Sequence, residues 1–290
     1  MYKIKTSLFV KQNSVECAFS NSESWVILNP IELSIKKKIE NVGVPLKDWD
    51  IKICRGILTG CNEAFIISEQ KRNEILSWCR DESEKHRTDE LIRPILRGRD
   101  IKRYGYSFAN LYLIASHNGI PDKNIPRINI DEYPAVKRHL DQYWDKISKR
   151  ADMGDTPYNL RSCAYMDDFS KQKIVWGNLG LTAGFAQAPE NMYVNAPCPM
   201  ITPFNKYLLA VLNSKLGDWY IRQLGVTRNG GYFEYKPMFV SQLPVPMLSA
   251  SEQLVIIRKM TGAQTEEACE QIISKLYGLS EEEQYFILTH

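Results

Sequence analysis

The apolar positions of this chain change period several times, and each change predicts an element. Across 31–42 they fall at helical spacing among lysines, and Gly43 with Pro45 ends that helix. Strand-like stretches at 49–57 and 64–68 follow as a pair, joined by the turn Leu58-Thr59-Gly60-Cys61-Asn62-Glu63. Apolar runs at 111–115, 173–176 and 199–202 read as further strands, with an aromatic-rich helix at 133–149 among them. After Pro203, Leu208, Leu212, Leu216 and Tyr220 recur every fourth position, which predicts one amphipathic helix capped by Asn205 and ending near Gly225. The stretch 226–231 reads as a loop whose glycines, Gly230 and Gly231, permit close backbone approach. Prolines stiffen 241–247 into a hinge or boundary. Beyond it, Ser249 and Glu252 form a capping box that opens a helix near Ala250. A second helical face carries Ala268, Ile272, Ile273 and Leu276 as far as Gly278, and Ser280 with Glu283 repeats the capping signal. The middle is therefore mixed α and β and the tail helical, with no internal repeat and no low-complexity tract.

Composition places the chain among ordinary globular proteins: 290 residues, 44% hydrophobic and 24% charged, enough for one large domain or two modest ones. Disorder and collagen-like repeats are excluded. The basic start Met1-Tyr2-Lys3-Ile4-Lys5 leads only into Leu8-Phe9-Val10, and no apolar run approaches the ~18 residues of a membrane span. The chain thus reads as soluble, without a signal peptide or a membrane partner. Seven cysteines, an odd number with no C-x-x-C pair, indicate a reducing, cytoplasmic setting. Cys54 and Cys61 lack neighbours at zinc-ligand spacing.

Charge changes the picture more. The net is +3, but 251–290 holds seven acidic residues against Arg258, Lys259 and Lys275, which leaves +7 on the first 250 positions. Within these, 91–103 (LIRPILRGRDIKR) sets five basic side chains against Asp100 alone. A polyanionic partner and a merely solvated basic surface both account for that run.

Catalytic motifs are incomplete. Asn29-Pro30-Ile31-Glu32 lacks the second proline and the aromatic of an adenine methyltransferase loop. Pro197-Cys198-Pro199 lacks the partners of a cytosine nucleophile. Glu69-Gln70-Lys71 and Glu234-Tyr235-Lys236 each supply only the last part of a metal-nuclease signature. Asp167 and Asp168 add two carboxylates without a matching Pro-Asp context. The four histidines have no nucleophile elbow, and there is no P-loop. A recognition role is the expectation. The rival class is a Mg²⁺-dependent nuclease using Asp167, Asp168 or Glu234, and a third possibility is a protein-interaction module built on the helices within 251–277.

The order of motifs says more than any one of them. Arg55-Gly56-Ile57-Leu58-Thr59-Gly60-Cys61-Asn62-Glu63-Ala64-Phe65 matches G-I-x-T-G-x-N-x-A-F, and Arg93-Pro94-Ile95-Leu96-Arg97-Gly98-Arg99-Asp100-Ile101 matches R-P-x-L-R-G-R-D-I. Together with Lys173-Ile174-Val175-Trp176, Leu243-Pro244-Val245-Pro246 and the ending Leu276-Tyr277-Gly278-Leu279-Ser280-Glu281-Glu282-Glu283, these resemble the C-terminal specificity domain of TaqI-type adenine methyltransferases and type IIG restriction-modification enzymes. The resemblance runs from about Leu33 to Glu283. It implies an α+β fold, a mixed-sheet target recognition domain followed by C-terminal helices, divided as 1–44 (linker and helix), 45–246 (recognition domain) and 247–290 (helical segment). It also implies sequence-specific binding of double-stranded DNA, with a methyltransferase domain in cis or in trans. No cofactor is expected in this chain, since S-adenosylmethionine and Mg²⁺ would belong to the catalytic domains. No metal site and no catalytic residue are expected here either.

Candidate residues follow from that reading. Thr59, Gly60 and Asn62 offer a hydroxyl, bare backbone N–H groups and an amide to a phosphate, with plain turn architecture as the alternative. Arg97, Arg99, Lys102 and Arg103 supply compact positive charge, and four phosphate contacts would give a log K versus log salt slope of roughly −3.6. Asp100 could instead tie Arg97 or Arg103 into an internal ion pair. For base reading the candidates are Arg161 and Lys173 toward guanine, Asn178, Gln187 and Asn229 toward adenine, Tyr232 as an apolar contact, and Arg228 with no base assigned.

Overall fold

The computed structural model describes residues 28–289, so Met1 to Lys5, Leu8 to Val10 and Cys17 lie outside the described residues. The fold is α+β and is organised by a four-stranded antiparallel sheet in the order Phe185–Ala188, Lys173–Trp176, Pro199–Thr202, Lys52–Arg55. Successive side chains of a strand point to opposite faces, and here both faces are covered. Val175, Ala186, Ala188 and Met200 enter one core, and Ile174, Trp176, Phe185 and Ile201 enter another. That double burial is why these strands read as unbroken apolar runs.

The first core is closed by a second sheet, ordered Tyr193–Val194, Ile92–Leu96, Leu111–Ile114, Ile66–Ser68, and by helices Glu69–Ser77, Glu82–Leu91 and Pro134–Asp141. Here the expected pairing of 49–57 with 64–68 fails. Lys52–Arg55 pairs with Pro199–Thr202, and Ile66–Ser68 pairs with Leu111–Ile114. Between them Asn62–Phe65 makes one helical turn that buries Ala64 and Phe65 completely, carrying the chain from one sheet to the other. The expected helix at 133–149 is likewise two pieces, Pro134–Asp141 and Trp144–Ile147.

The second core gathers Ile35 and Ile39 from helix Pro30–Val42, Leu208, Val211 and Leu212 from Lys206–Leu212, Leu216, Trp219 and Ile221 from Lys215–Leu224, and Ile273, Tyr277, Leu279 and Ile287 from the C-terminal helices. The single helix expected from Asn205 to Gly225 breaks at Asn213 and Ser214. Ser214 caps the second half, its Oγ accepting from the Gly217 amide at 3.0 Å. The Asn213 amide group exchanges two hydrogen bonds with the backbone of Phe185, at 3.0 and 2.9 Å, and so hooks the edge strand onto the helices. The apolar spacing runs through the break undisturbed, so the sequence carries no sign of it.

Both ends obey their capping signals. Asn29 and Glu32 form a capping box with Pro30 in the first turn, so Asn29-Pro30-Ile31-Glu32 is a helix start. Ser249 with Glu252 opens Ala250–Gly262, and Ser280 with Glu283 precedes Glu281–Thr289. Among the described residues no helix is long and apolar enough to cross a membrane.

Candidate nucleic-acid interface

The two signature segments, whose starts lie 38 residues apart in the chain, meet through a third. Gly56 N–H donates to Cys198 O at 2.7 Å, Ile57 N–H to Val194 O at 2.8 Å and Ala196 N–H to Ile57 O at 3.0 Å, while Asn195 N–H donates to Leu96 O at 2.8 Å. Residues 193–198 therefore lash 55–58 to 96–98. Gly98 lies over the Cys198 sulfur and against Gly177: a Cβ on Gly98 would stand 3.3 Å from Sγ, and one on Gly177 would stand 3.5 Å from Gly98 O. From Gly177 the chain passes Asn178 into the strand Leu179–Gly180. This pairs with Tyr232–Glu234, which in turn pairs with Thr227–Arg228. Loops from five parts of the sequence thus form one continuous rim.

At one end of the rim Gly60 is exposed at φ 65°, a left-handed conformation that favours glycine. Asn62 is exposed too, but its Oδ1 accepts the Thr59 hydroxyl at 2.6 Å, and the same hydroxyl accepts the Cys61 amide at 3.2 Å. Thr59 is buried, which corrects its assignment as a phosphate ligand: its oxygen is consumed in building the turn. Arg150 holds the turn from inside, donating to Thr59 O at 2.8 Å and lying 4.2 Å over the Phe65 ring. Burial lowers its pKa to about 10. Nothing in the local sequence distinguished this arginine from a surface one.

The basic run divides into two kinds. Arg97 is committed to Asp100 through a two-pronged ion pair, Nε to Oδ2 at 2.9 Å and Nη2 to Oδ1 at 2.8 Å, with its own backbone N–H on Oδ2 at 2.8 Å. Arg103 bonds Asn213 O through Nε at 3.1 Å and Nη2 at 2.9 Å, and pairs with Glu266 and Glu270, joining this segment to the C-terminal helices. Both are corrections to their assignment as phosphate ligands, because carboxylates within the protein already offset their charge. Arg99 and Lys102 are exposed and form no ion pair among the described residues. Arg55, on the first signature, shares that state, and no charge run in the sequence marks it.

Burial alone would push the Asp100 carboxyl up, but hydrogen bonds from the Arg97 side chain and backbone outweigh it and hold the pKa below its usual value. The stabilisation is therefore present above the unfolded carboxyl pKa and lost as pH falls through the depressed folded one. Asp100→Asn is expected to cost about 2–3 kcal/mol at neutral pH. The gap to wild type should narrow in acid, as urea titrations at neutral pH and near pH 3 would show; a constant gap would count against the assignment.

Of the base-reading candidates, Arg161 is exposed and faces Arg55 across a depression of about 280 Å³, with its Nη1 3.1 Å from Asp152. Asn178 lies on the rim, and its Oδ1 is enclosed by protein without a hydrogen-bond partner among the described residues. Arg228, Asn229 and Tyr232 are exposed together on the hairpin, where Gly230 and Gly231 both have positive φ. Gln187 is the one exposed position of the edge strand Phe185–Ala188. Lys173 is removed from the set. It is fully buried, and its ammonium donates to the carbonyls of Phe169 at 2.9 Å, Pro189 at 3.2 Å and Met192 at 3.0 Å. The sequence pattern also passed over Leu179 and Leu181, two exposed leucines beside the hairpin.

The carboxylates of the nuclease alternative are engaged elsewhere. Asp168 is buried between Lys52 at 3.3 Å and Lys171 at 2.6 Å; burial would raise its pKa, but those lysines hold it down. Asp167 pairs with Lys123. Glu234 is held by Lys236 at 2.9 Å and by Arg228. Among the described residues no three His, Cys, Asp or Glu side chains gather as a metal would require. The Cys198 thiol is buried under Gly98, and burial pushes its pKa up to about 12.

The model of the TaqI-like C-terminal specificity domain matches residues 93–245, just over half of the chain. The type II methyltransferase M.BstVI of Geobacillus stearothermophilus is 21% identical over 276 residues, which cover 91% of this chain and 46% of that protein. The chain therefore spans less than half the length of this curated relative. Two solved structures share the fold. One is the type IIL restriction-modification enzyme MmeI in complex with DNA, with a TM-score of 0.56, 10% identity, and coverage of 85% of this chain and 36% of that one. The other is the type IIG restriction endonuclease BpuSI, with a TM-score of 0.55, 13% identity, and coverage of 89% and 31%.

Proposed function

This chain belongs to the TaqI-like C-terminal specificity domain family, and on that premise we propose that it recognises a short sequence in double-stranded DNA for a methyltransferase domain acting in cis or in trans. The observation that carries the reading is the rim itself. The two signature segments converge there, and Arg55, Arg99 and Lys102 stand exposed without internal partners, as phosphate contacts require. Arg161, Gln187, Arg228, Asn229 and Tyr232 supply groups for base edges, whereas the enclosed Oδ1 of Asn178 withdraws it from that set, and Gly60 and Asn62 supply a turn at the end of the rim. Methyl transfer, with its S-adenosylmethionine, and any Mg²⁺-dependent cleavage belong on this reading to other domains, because the carboxylates here are spent in ion pairs. The six cysteines among the described residues are free thiols, in keeping with a cytoplasmic setting.

Selection of bound duplexes from a random pool, with and without Mg²⁺, tests this. Enrichment of one short motif, binding that weakens with salt and intact DNA are expected. A pool that stays random, or Mg²⁺-dependent nicking, would overturn the reading.

A further inference from the structure

The Glu234-Tyr235-Lys236 triplet that resembles part of a nuclease signature has another use in the fold. In the hairpin, Arg228 and Tyr232 stand directly opposite each other, so their side chains share one face, and Glu234, two residues beyond Tyr232, shares it too. Glu234 is almost fully enclosed, with 4% of its side chain exposed, whereas Arg228 keeps 55%. The Arg228 Nε donates to Glu234 Oε1 at 2.6 Å, and Nη2 lies 2.5 Å from the same oxygen, while Lys236 takes Oε2 at 2.9 Å. One edge of the guanidinium is thereby fixed. The other edge, both Nη1 hydrogens and the outer Nη2 hydrogen, has no partner among the described residues.

Resting on the reading that this chain binds duplex DNA, we propose that Arg228 reads one guanine through that free edge and that Glu234 is the positioning residue that aims it. The two outer N–H groups of a guanidinium match O6 and N7 of guanine in the major groove. A phosphate would be drawn chiefly by net charge, and here Glu234, shared between Arg228 and Lys236, offsets part of that charge while leaving the donor geometry of Arg228 intact. Because Glu234 already restrains the side chain, its rotamer freedom is given up on folding and not on binding. Asn229 and Tyr232, exposed on either side of the turn, would flank the contact.

The test is the same random-pool selection, run on wild type, R228A, R228K and E234Q, and read as base frequencies at each position of the bound motif. Wild type should show one position dominated by guanine. R228A should lower that preference roughly tenfold and leave other positions unchanged. R228K should relax the same position while keeping most of the affinity, because the charge survives and the fork does not. E234Q should relax it severalfold. Base preference is a ratio within the bound pool, so partial unfolding of E234Q lowers the yield without altering the profile, and R228K still decides the matter should E234Q not fold. A uniform loss of affinity in R228A, or an unaltered profile in a folded E234Q, overturns the assignment. No motif from wild type would overturn the DNA-recognition reading beneath it, which is a separate result.

Discussion

Changing Arg99 and Lys102 together to alanine is expected to flatten the dependence of log affinity on log salt by about 1.8, the value for two lost phosphate contacts at ~0.9 each on B-form DNA. Both side chains are exposed and unpaired, so on the proposed reading their positive charge is spent on displacing counterions. Affinity should fall for every sequence alike, because phosphates carry no sequence. Titrations over a range of salt concentrations, on the selected motif and on a scrambled duplex, would show it. An unchanged slope would remove the basic segment from the interface. Arg97→Ala makes the control: with its guanidinium already clamped on Asp100, it should shift the melting temperature and leave the slope alone.

Lys173→Ala carries the largest expected effect on stability. Its ammonium sits among three backbone carbonyls inside the first core, and truncation removes a donor from each of them and opens a cavity the length of the side chain. A loss of about 3–5 kcal/mol is expected, read from urea or thermal unfolding, with the base preference of the folded fraction unchanged. The pH profile adds a signature. Burial lowers the Lys173 pKa to about 8, below the ~10.4 of an unfolded lysine. Between those values the unfolded chain binds more protons, so the wild-type contribution to stability rises with pH, and the alanine variant lacks that limb. A variant as stable as wild type would contradict the burial of this group.

Lys173 also shows where the sequence is silent. A lysine opening an apolar run reads as the polar end of a strand, and only the second covered face of the central sheet, supplied by residues far away in the chain, turns it inward. The basic segment was ambiguous for a related reason. Arg97, Arg99, Lys102 and Arg103 are alike by charge, and what separates them is Asp100 close by and Asn213, Glu266 and Glu270 more than a hundred residues on. Signals that act over three or four residues were legible: the caps at Asn29, Ser249 and Ser280, and the turn at Thr59 to Asn62. Helices Glu69–Ser77 and Glu82–Leu91 escaped notice because they bury little apolar surface, chiefly Ile75 and Leu91, and are fixed at their starts by Ser68 and Asp81. Motif order carried the family resemblance but not the meeting of 55–58 with 96–98, whose physical basis lies in residues 193–198, which carry no signature of their own.

The second core has a practical corollary for anyone grafting this module onto another enzyme. Ile35 and Ile39 from before the first sheet strand, and Ile273, Tyr277 and Ile287 from after the last, fill the same interior as the helices that anchor the edge strand. A transplant cut at 45 and 246 would expose that greasy seam and release Arg103 from its acidic tether. Cut points placed ahead of Leu28 and behind Thr289 retain the Asn29 cap and both helical flanks of this core.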